Sequence, residues 1–356
     1  MKERITYIDF ASGIMILWMI IYHAIHQTWC FELGDYWNIR DLTSLPEGAK
    51  AFINSEGKLR SLNPCVLFPY LHFFMPWFFY KSGQFFTKQS IGNLWKKDWN
   101  KLLKTFLVWS LIGYVFYVLF GLLNDTMTLR RATYSVVRCF FLQGNIPLNG
   151  ALWFLLTLFS VRFVANFAMP ERGGKNAVLK IVSVVLFGYV VSYLAYRFNH
   201  RLLPYWVANG AVGLTFFSLG YALRDWEQKW WIVVPCFVVY IMGCIFGFPM
   251  VDMLSNELLK GEYCLWIPVA LCCIVVFNAL CRRLCKLVSI KPFEWIGKNA
   301  MLIYVPHYLI VCVVVNFFQL INLRIVPLGM FGVLMFSYVL LLIGILVFHR
   351  IKLSKL

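Results

Sequence analysis

The chain has 356 residues, of which 61% are hydrophobic and 14% charged, and its formal net charge is +17. A soluble protein of this length needs far more polar side chains to cover its surface, so the composition excludes a soluble globular domain and indicates an integral membrane protein. The positive charge does not point to nucleic acid, because the basic residues sit in short segments between apolar runs, which is how membrane topology is written.

The first apolar run starts near Ile5, directly after Lys2 and Arg4. It is too long for a removable signal peptide and lacks a small-residue cleavage site, so it is expected to stay as a helix. A helix crossing the hydrocarbon core needs roughly 20 apolar residues. Runs that qualify lie near 5–29, 66–87, 102–123, 150–169, 177–197, 205–223, 230–247, 264–281, 299–321 and 328–348. The expectation is an all-α, polytopic helical bundle with about ten transmembrane helices. Between the third and fourth runs, 131–146 is amphipathic, carries Arg131 and Arg138, and reads as interfacial. The segment of about 30–65 is the longest polar loop. No soluble domain fits in what remains, so residues 1–356 form a single integral-membrane domain.

Placing the N-terminus inside puts 20 Lys and Arg in the inner segments and 11 in the outer ones, which are also longer. That asymmetry predicts cytoplasmic N- and C-termini. Most of the 11 cysteines fall within apolar runs and read as packing residues, and no Cys/His spacing suggests a metal site. Cys30 and Cys65 flank the polar loop, where an oxidising compartment would allow them to pair.

Ionisable residues at membrane depth are functional candidates because burying them is costly. Here they are Asp9, His23 and His26 in the first run, Lys81 in the second, Arg162 in the fourth and His307 in the ninth. Asp9 either serves a site or caps its helix locally. Lys81 and Arg162 either reach inward or snorkel to the interface, and His26 reads as interfacial. At about 100° per residue, Asp9, Ser12 and His23 share one face of the first helix. A polar stripe that runs the depth of an apolar helix suggests a lined cavity.

Four stretches in order carry a resemblance. They are "RITYIDFASGIMILWMIIYH" with its Asp and terminal His, "FFMPWFFYKSGQFF", "ALWFLLTLFSVRF" and "FEWIGKNAMLIYVPHYLI". Together, from residue 4 to about 348, the chain resembles the membrane-bound acyltransferase family 3, multi-span O-acetyltransferases of sugars and cell-envelope glycans. The family commonly has a basic residue eleven positions before the helix-one His, with both implicated in catalysis; here that position is Ser12. Lys81 lies at a similar distance from the inner end of the antiparallel second helix and is positioned to supply the missing cation. Arg162 falls in the same layer.

The resemblance implies an acyltransferase of a bacterial cytoplasmic (inner) membrane. Its donor would be acetyl-CoA or another acyl-CoA, with no permanently bound cofactor, and its acceptor a sugar, glycan or glycolipid. O-acyl transfer needs a base for the acceptor hydroxyl, and a neutral imidazole suits that task, so His23 is the candidate. Lys81, Arg162 and Ser12 are the candidates for holding the donor, and Asp9 and His307 for the acceptor. His307 follows Pro306, which bends its helix, and reads either as an acceptor-orienting group or as a satisfied core histidine. Trp29, Trp37, Tyr205, Trp206, Tyr263 and Trp266 lie near the outer ends, where they suit an interfacial aromatic belt or sugar stacking. Two other readings remain open: a transporter or flippase for polysaccharide or lipid-linked sugar, and a catalytically altered relative acting as a binding protein.

The topology has a direct test. A cysteine reporter placed between residues 40 and 60 should be labelled from outside the cell, and one at the C-terminus should stay protected. The reverse pattern would invert the layout.

Overall fold

The computed structural model describes residues 6–32, 68–171, 174, 176–198, 204–225, 229–254, 257–287, 291–321 and 327–353. Most of the 30–65 loop and the Cys30–Cys65 pairing lie outside it, as do Trp37 and the side chains of His26, Trp29 and Tyr205.

In chain order the helices are α1 (Thr6–Glu32), α2 (Phe68–Leu71), α3 (Phe74–Gln84), α4 (Ile91–Asp98), α5 (Lys104–Leu123), α6 (Leu129–Val137) and α7 (Trp153–Ala168). They continue as α8 (Ala177–Arg197), α9 (Tyr205–Leu223), α10 (Trp230–Phe246), α11 (Tyr263–Leu287), α12 (Lys291–Lys298), α13 (Ala300–Leu320) and α14 (Pro327–Leu353). A π-helical turn joins α4 to α5, a second follows α6, and a 3-10 turn, Gly150–Leu152, leads into α7. The single sheet among the described residues is a hairpin of β1 (Met250–Asp252) and β2 (Glu257–Lys260), paired antiparallel. Sequence periodicity gave no hint of it, because strands this short leave no alternation to read.

The chain is thus a helical, multi-pass membrane bundle. Among the described residues, seven helices are long and apolar enough to cross a membrane, and Trp230–Phe246 and Phe331–Val347 are shorter apolar stretches. These account for nine of the expected runs. The remaining one, 66–87, is divided into α2 and α3 by a turn at His72–Phe73. Pro76 explains the division: it lacks the N–H that would bond the carbonyl four residues back, at His72. The turn brings His72 and Phe74–Pro76 to the mouth of the cavity described below.

Burial separates the centre of the bundle from its rim. The apolar windows of α1 and α9 are 72% and 67% buried, whereas that of α8 is 11% buried and lies at the rim of the bundle. α1 packs against α11, α12, α13 and α14, and α9 against α3, α7 and α8. Lipid gives helices no hydrophobic reason to associate, so close packing and hydrogen bonds do that work, and small residues allow backbones to approach. Two crossings depend on reciprocal glycines. A Cβ at Gly13 would stand 2.0 Å from the Phe293 carbonyl oxygen, and one at Gly297 would stand 1.7 Å from that of Asp9. Likewise, a Cβ at Gly83 would meet the Phe217 oxygen at 1.9 Å, and one at Gly220 the Tyr80 oxygen at 2.0 Å. In both cases backbone meets backbone at two points about one turn apart, which fixes the register of the pair. Trp77 Nε1 donates to Asn278 Oδ1 at 2.8 Å and adds a polar tie between α3 and α11.

Gly297→Ala should therefore lower the thermal unfolding midpoint in detergent, by the equivalent of about 1–3 kcal/mol of overpacking. Gly344 in α14 meets nothing within 4 Å. Gly344→Ala should be neutral or slightly stabilising, since alanine is the better helix former. Equal effects from the two substitutions would count against the close crossing.

Candidate active site

Eleven positions along α1 separate Ser12 from His23, about 16 Å at the helical rise. The two residues mark an inner and an outer polar layer, each completed by other helices.

At the outer end, His23 lines a cavity of about 350 Å³. Its walls come from distant parts of the chain: Tyr22 beside His23, His72 and Phe74 at the α2–α3 turn, Trp153 at the start of α7, and Tyr304 and Tyr308 on α13. The β-hairpin closes one side with Val251, Asp252 and Leu259. The hairpin is held in turn: Asp252 Oδ1 accepts from the Leu254 amide at 2.9 Å, and Asn209 Nδ2 on α9 donates to the Leu254 carbonyl at 3.0 Å.

The His23 ring sits among other rings. Its centroid is 5.2 Å from that of His307 and 4.9 Å from that of Tyr308, the latter edge to face. His307 is fully buried, and its Nδ1 is bonded to the Tyr304 carbonyl one turn back. A carbonyl only accepts, so Nδ1 carries the proton and Nε2 presents a lone pair. Among the described residues Nε2 has no hydrogen-bond partner. That leaves His307 short of a satisfied core histidine. Two further bonds fix this stretch of α13: Tyr304 Oη donates to the Ala151 carbonyl in the 3-10 turn, and Tyr338 Oη on α14 donates to the His307 carbonyl at 3.0 Å.

At the inner end, Ser12 is fully buried. Its hydroxyl donates to the Ile8 carbonyl at 2.5 Å, which turns its lone pairs outward, and Lys81 Nζ donates to them. The ammonium also lies 5.3 Å from the centre of the Trp77 ring, a cation–π contact. Lys81 thus reaches across to α1 and does not snorkel outward. Asp9 is buried one turn before Ser12, where its backbone meets Gly297. Arg162 pairs with Asp98 through Nε at 2.8 Å, with 14% and 4% of the side chains exposed, and lies 5.9 Å from the Phe86 ring. Asp98 escaped the sequence reading because it stands among the lysines of a polar segment between two apolar runs. Arg282, at the inner end of α11, lies over the Tyr7 ring at 4.0 Å and donates to the Tyr7 hydroxyl.

The structure therefore joins Ser12 with Lys81 and His23 with His307, pairs Arg162 with a carboxylate, and leaves Asp9 in the inner layer, away from the outer cavity. Tyr263 and Trp266 are 2% and 0% exposed and belong to the core, not to an interfacial belt, while Trp206 is half-buried. The aromatic residues that do line the cavity, Tyr22, Phe74, Trp153, Tyr304 and Tyr308, come from four separated segments, and no local pattern could have assembled them.

A family model described as an acyltransferase domain matches residues 5–348. The chain belongs to that family, the membrane acyltransferases of family 3. No curated protein and no solved structure matches it.

The Arg162–Asp98 pair has a measurable consequence. Asp98→Asn should lower thermal stability sharply, since breaking a buried pair leaves an uncompensated charge at a cost of about 3–5 kcal/mol. Adding Arg162→Gln should recover part of that loss. An Asp98→Asn protein with an unchanged unfolding midpoint would mean that the pair is not formed.

Proposed function

We propose that the protein is an O-acyltransferase that moves an acetyl or other short acyl group from acyl-CoA to a hydroxyl of a sugar or cell-envelope glycan. The observation that carries this reading is the placement of His23: an imidazole on the wall of an aromatic cavity, about three helical turns along α1 from a cation held at Ser12.

In this reading the acceptor enters the outer cavity. Tyr22, Trp153, Tyr304 and Tyr308 offer faces and edges for the C–H surfaces of a sugar ring, and Asp252 and His72 offer polar groups for its hydroxyls. His307 Nε2 accepts a hydrogen bond from the acceptor and orients it, the partner that this buried lone pair otherwise lacks. The donor approaches from the inner side. Its phosphates meet Lys81 and the terminal nitrogens of Arg162, whose Nε is already held by Asp98. Its flexible arm rises beside α1 and carries the thioester to His23.

The chemistry is then a single proton relay. His23 takes the proton of the acceptor hydroxyl as its oxygen attacks the thioester carbonyl. The tetrahedral intermediate collapses, breaking the C–S bond, and the departing thiolate takes the proton back from the imidazolium. The products are the O-acyl ester and free CoA thiol. Lys81 takes the place of the helix-one cation that Ser12 replaces, so the donor is held from helix α3 and not from α1.

The test uses the purified protein with radiolabelled acetyl-CoA and envelope glycan fractions. The wild-type protein should transfer label, and His23→Ala should lower the rate by about 10²- to 10⁴-fold while remaining folded. A transporter or a non-catalytic relative would transfer none. Lys81→Ala should raise KM for acyl-CoA with a smaller change in kcat, the signature of lost donor binding. Ser12→Arg in the Lys81→Ala background should restore part of the activity, because arginine is longer and forked where lysine is a point charge. A kinetically silent Lys81→Ala would remove Lys81 from the donor site.

A further inference from the structure

The segment between α5 and α7 is not explained by acyl transfer. α7 begins at the 3-10 turn that lines the His23 cavity, so α6 and the π-helical turn after it, 138–143, lie on the cavity's side of the bundle. Leu129 is 84% exposed and Phe141 68% exposed. A short amphipathic helix with large apolar groups outside the protein core is the form taken by helices lying in the headgroup–acyl boundary of a bilayer.

Its charges are placed against expectation. Arg130 and Arg131 occupy the first turn of α6, which holds no acidic residue. That is the positive end of the helix dipole, where anions are favoured and cations are not. Among the described residues no carboxylate lies within ion-pair distance of Arg130, Arg131 or Arg138. Arg131 and Arg138 stand two turns apart on one face and line a cavity of about 200 Å³ with Tyr117, Thr126, Tyr134 and Ser135. Each guanidinium is fixed by one bond: Arg131 Nη1 donates to the Thr126 carbonyl and Arg138 Nε to Gln143 Oε1, both at 2.7 Å. Two oriented guanidinium forks, four hydroxyl-bearing neighbours and a helix N-terminus all favour a small anion with several oxygens.

We propose that this cavity binds the phosphate of an anionic lipid headgroup. The volume suits a phosphodiester and its first substituent, and the exposed apolar side chains beside it suit the acyl chains of the same molecule. The lipid would neutralise the arginines and so hold the start of the loop that leads to the active cavity. That loop continues through the Ile146–Asn149 bridge to Gly150, whose carbonyl accepts from Asn145 Nδ2 at 3.3 Å. The inference does not depend on the acyl-transfer reading.

Native mass spectrometry of the delipidated, detergent-purified full chain tests it, with thermal unfolding as a second readout. The probes are phosphatidylglycerol, phosphatidylcholine with the same chains, and inorganic phosphate. The wild-type protein should retain phosphatidylglycerol in preference to phosphatidylcholine and unfold at a higher temperature in its presence. Arg131→Gln/Arg138→Gln should bind phosphatidylglycerol about tenfold more weakly while unfolding at the wild-type temperature in detergent alone. Should the double variant be unstable, Arg138→Gln alone should still weaken binding by a smaller factor. Equal retention of phosphatidylglycerol by the wild-type and variant proteins would overturn the proposal. So would equal retention of the two lipids, or full stabilisation by inorganic phosphate alone, which would make the ligand a free anion.

Discussion

The backbone-to-backbone crossing of α1 and α12 is the constraint on which the rest of the structure depends. Gly13 and Gly297 each face a carbonyl of the partner helix, so neither helix can slide or rotate without driving backbone into backbone. α1 is thereby fixed in depth and in rotation. Because α12 leads directly into α13, the same crossing sets where α13 begins and hence which of its residues reach the end of α1. The second glycine crossing, between α3 and α9, performs the equivalent task for Lys81, which lies between Tyr80 and Gly83 at that contact. Bilayers supply no solvophobic force to correct a loose helix pair, so such steric registers matter more here than in a soluble bundle.

With the registers fixed, one helix carries both ends of the proposed reaction path. Its inner face offers Ser12 to the Lys81 ammonium, and its outer end places His23 beside His307. The two polar layers are separated by apolar helix, a length that an extended, flexible donor arm is suited to span. The cavity at the His23 end is assembled from afar: it needs the Pro76 break, the 3-10 turn before α7, the hairpin and the Pro306 region of α13. Each contributes groups that ordinary helical continuity would have kept away from His23.

Much of this was legible in the sequence where a single helix carried the information. The stripe of Asp9, Ser12 and His23 follows from helical periodicity alone, and the shared depth of Ser12 and Lys81 follows from counting residues from the start of the first apolar run and from the end of the next. The amphipathic pattern of 131–146 was legible from its spacing and charges, and α6 with the turn after it carries exposed apolar side chains. What could not be read was whatever depends on partners far apart in the chain. The glycines at 13 and 297 look unremarkable until their helices cross. Asp98 looked like one charge among surface lysines, and only the fold puts it against Arg162. Tyr263 and Trp266 carry the composition of an interfacial belt, yet packing buries them. The β-hairpin is too short to produce an alternating pattern, and the 66–87 run is apolar throughout, so the interruption by Pro76 is a backbone effect that hydropathy does not register.

The central claim is that the donor lies along α1, with its charged end at the Lys81 layer and its acyl end at His23. Photo-crosslinking with an acyl-CoA analogue that carries the reactive group at the acyl terminus tests it most directly, with modified peptides identified by mass spectrometry. Modification should fall on the cavity residues around His23, Tyr304 and Tyr308. A second analogue with the group on its adenine should mark the inner ends of the helices instead. If the acyl-terminal probe labelled only the inner layer, or both probes labelled the same peptides, the donor would not rise along α1 and the proposed path would be wrong.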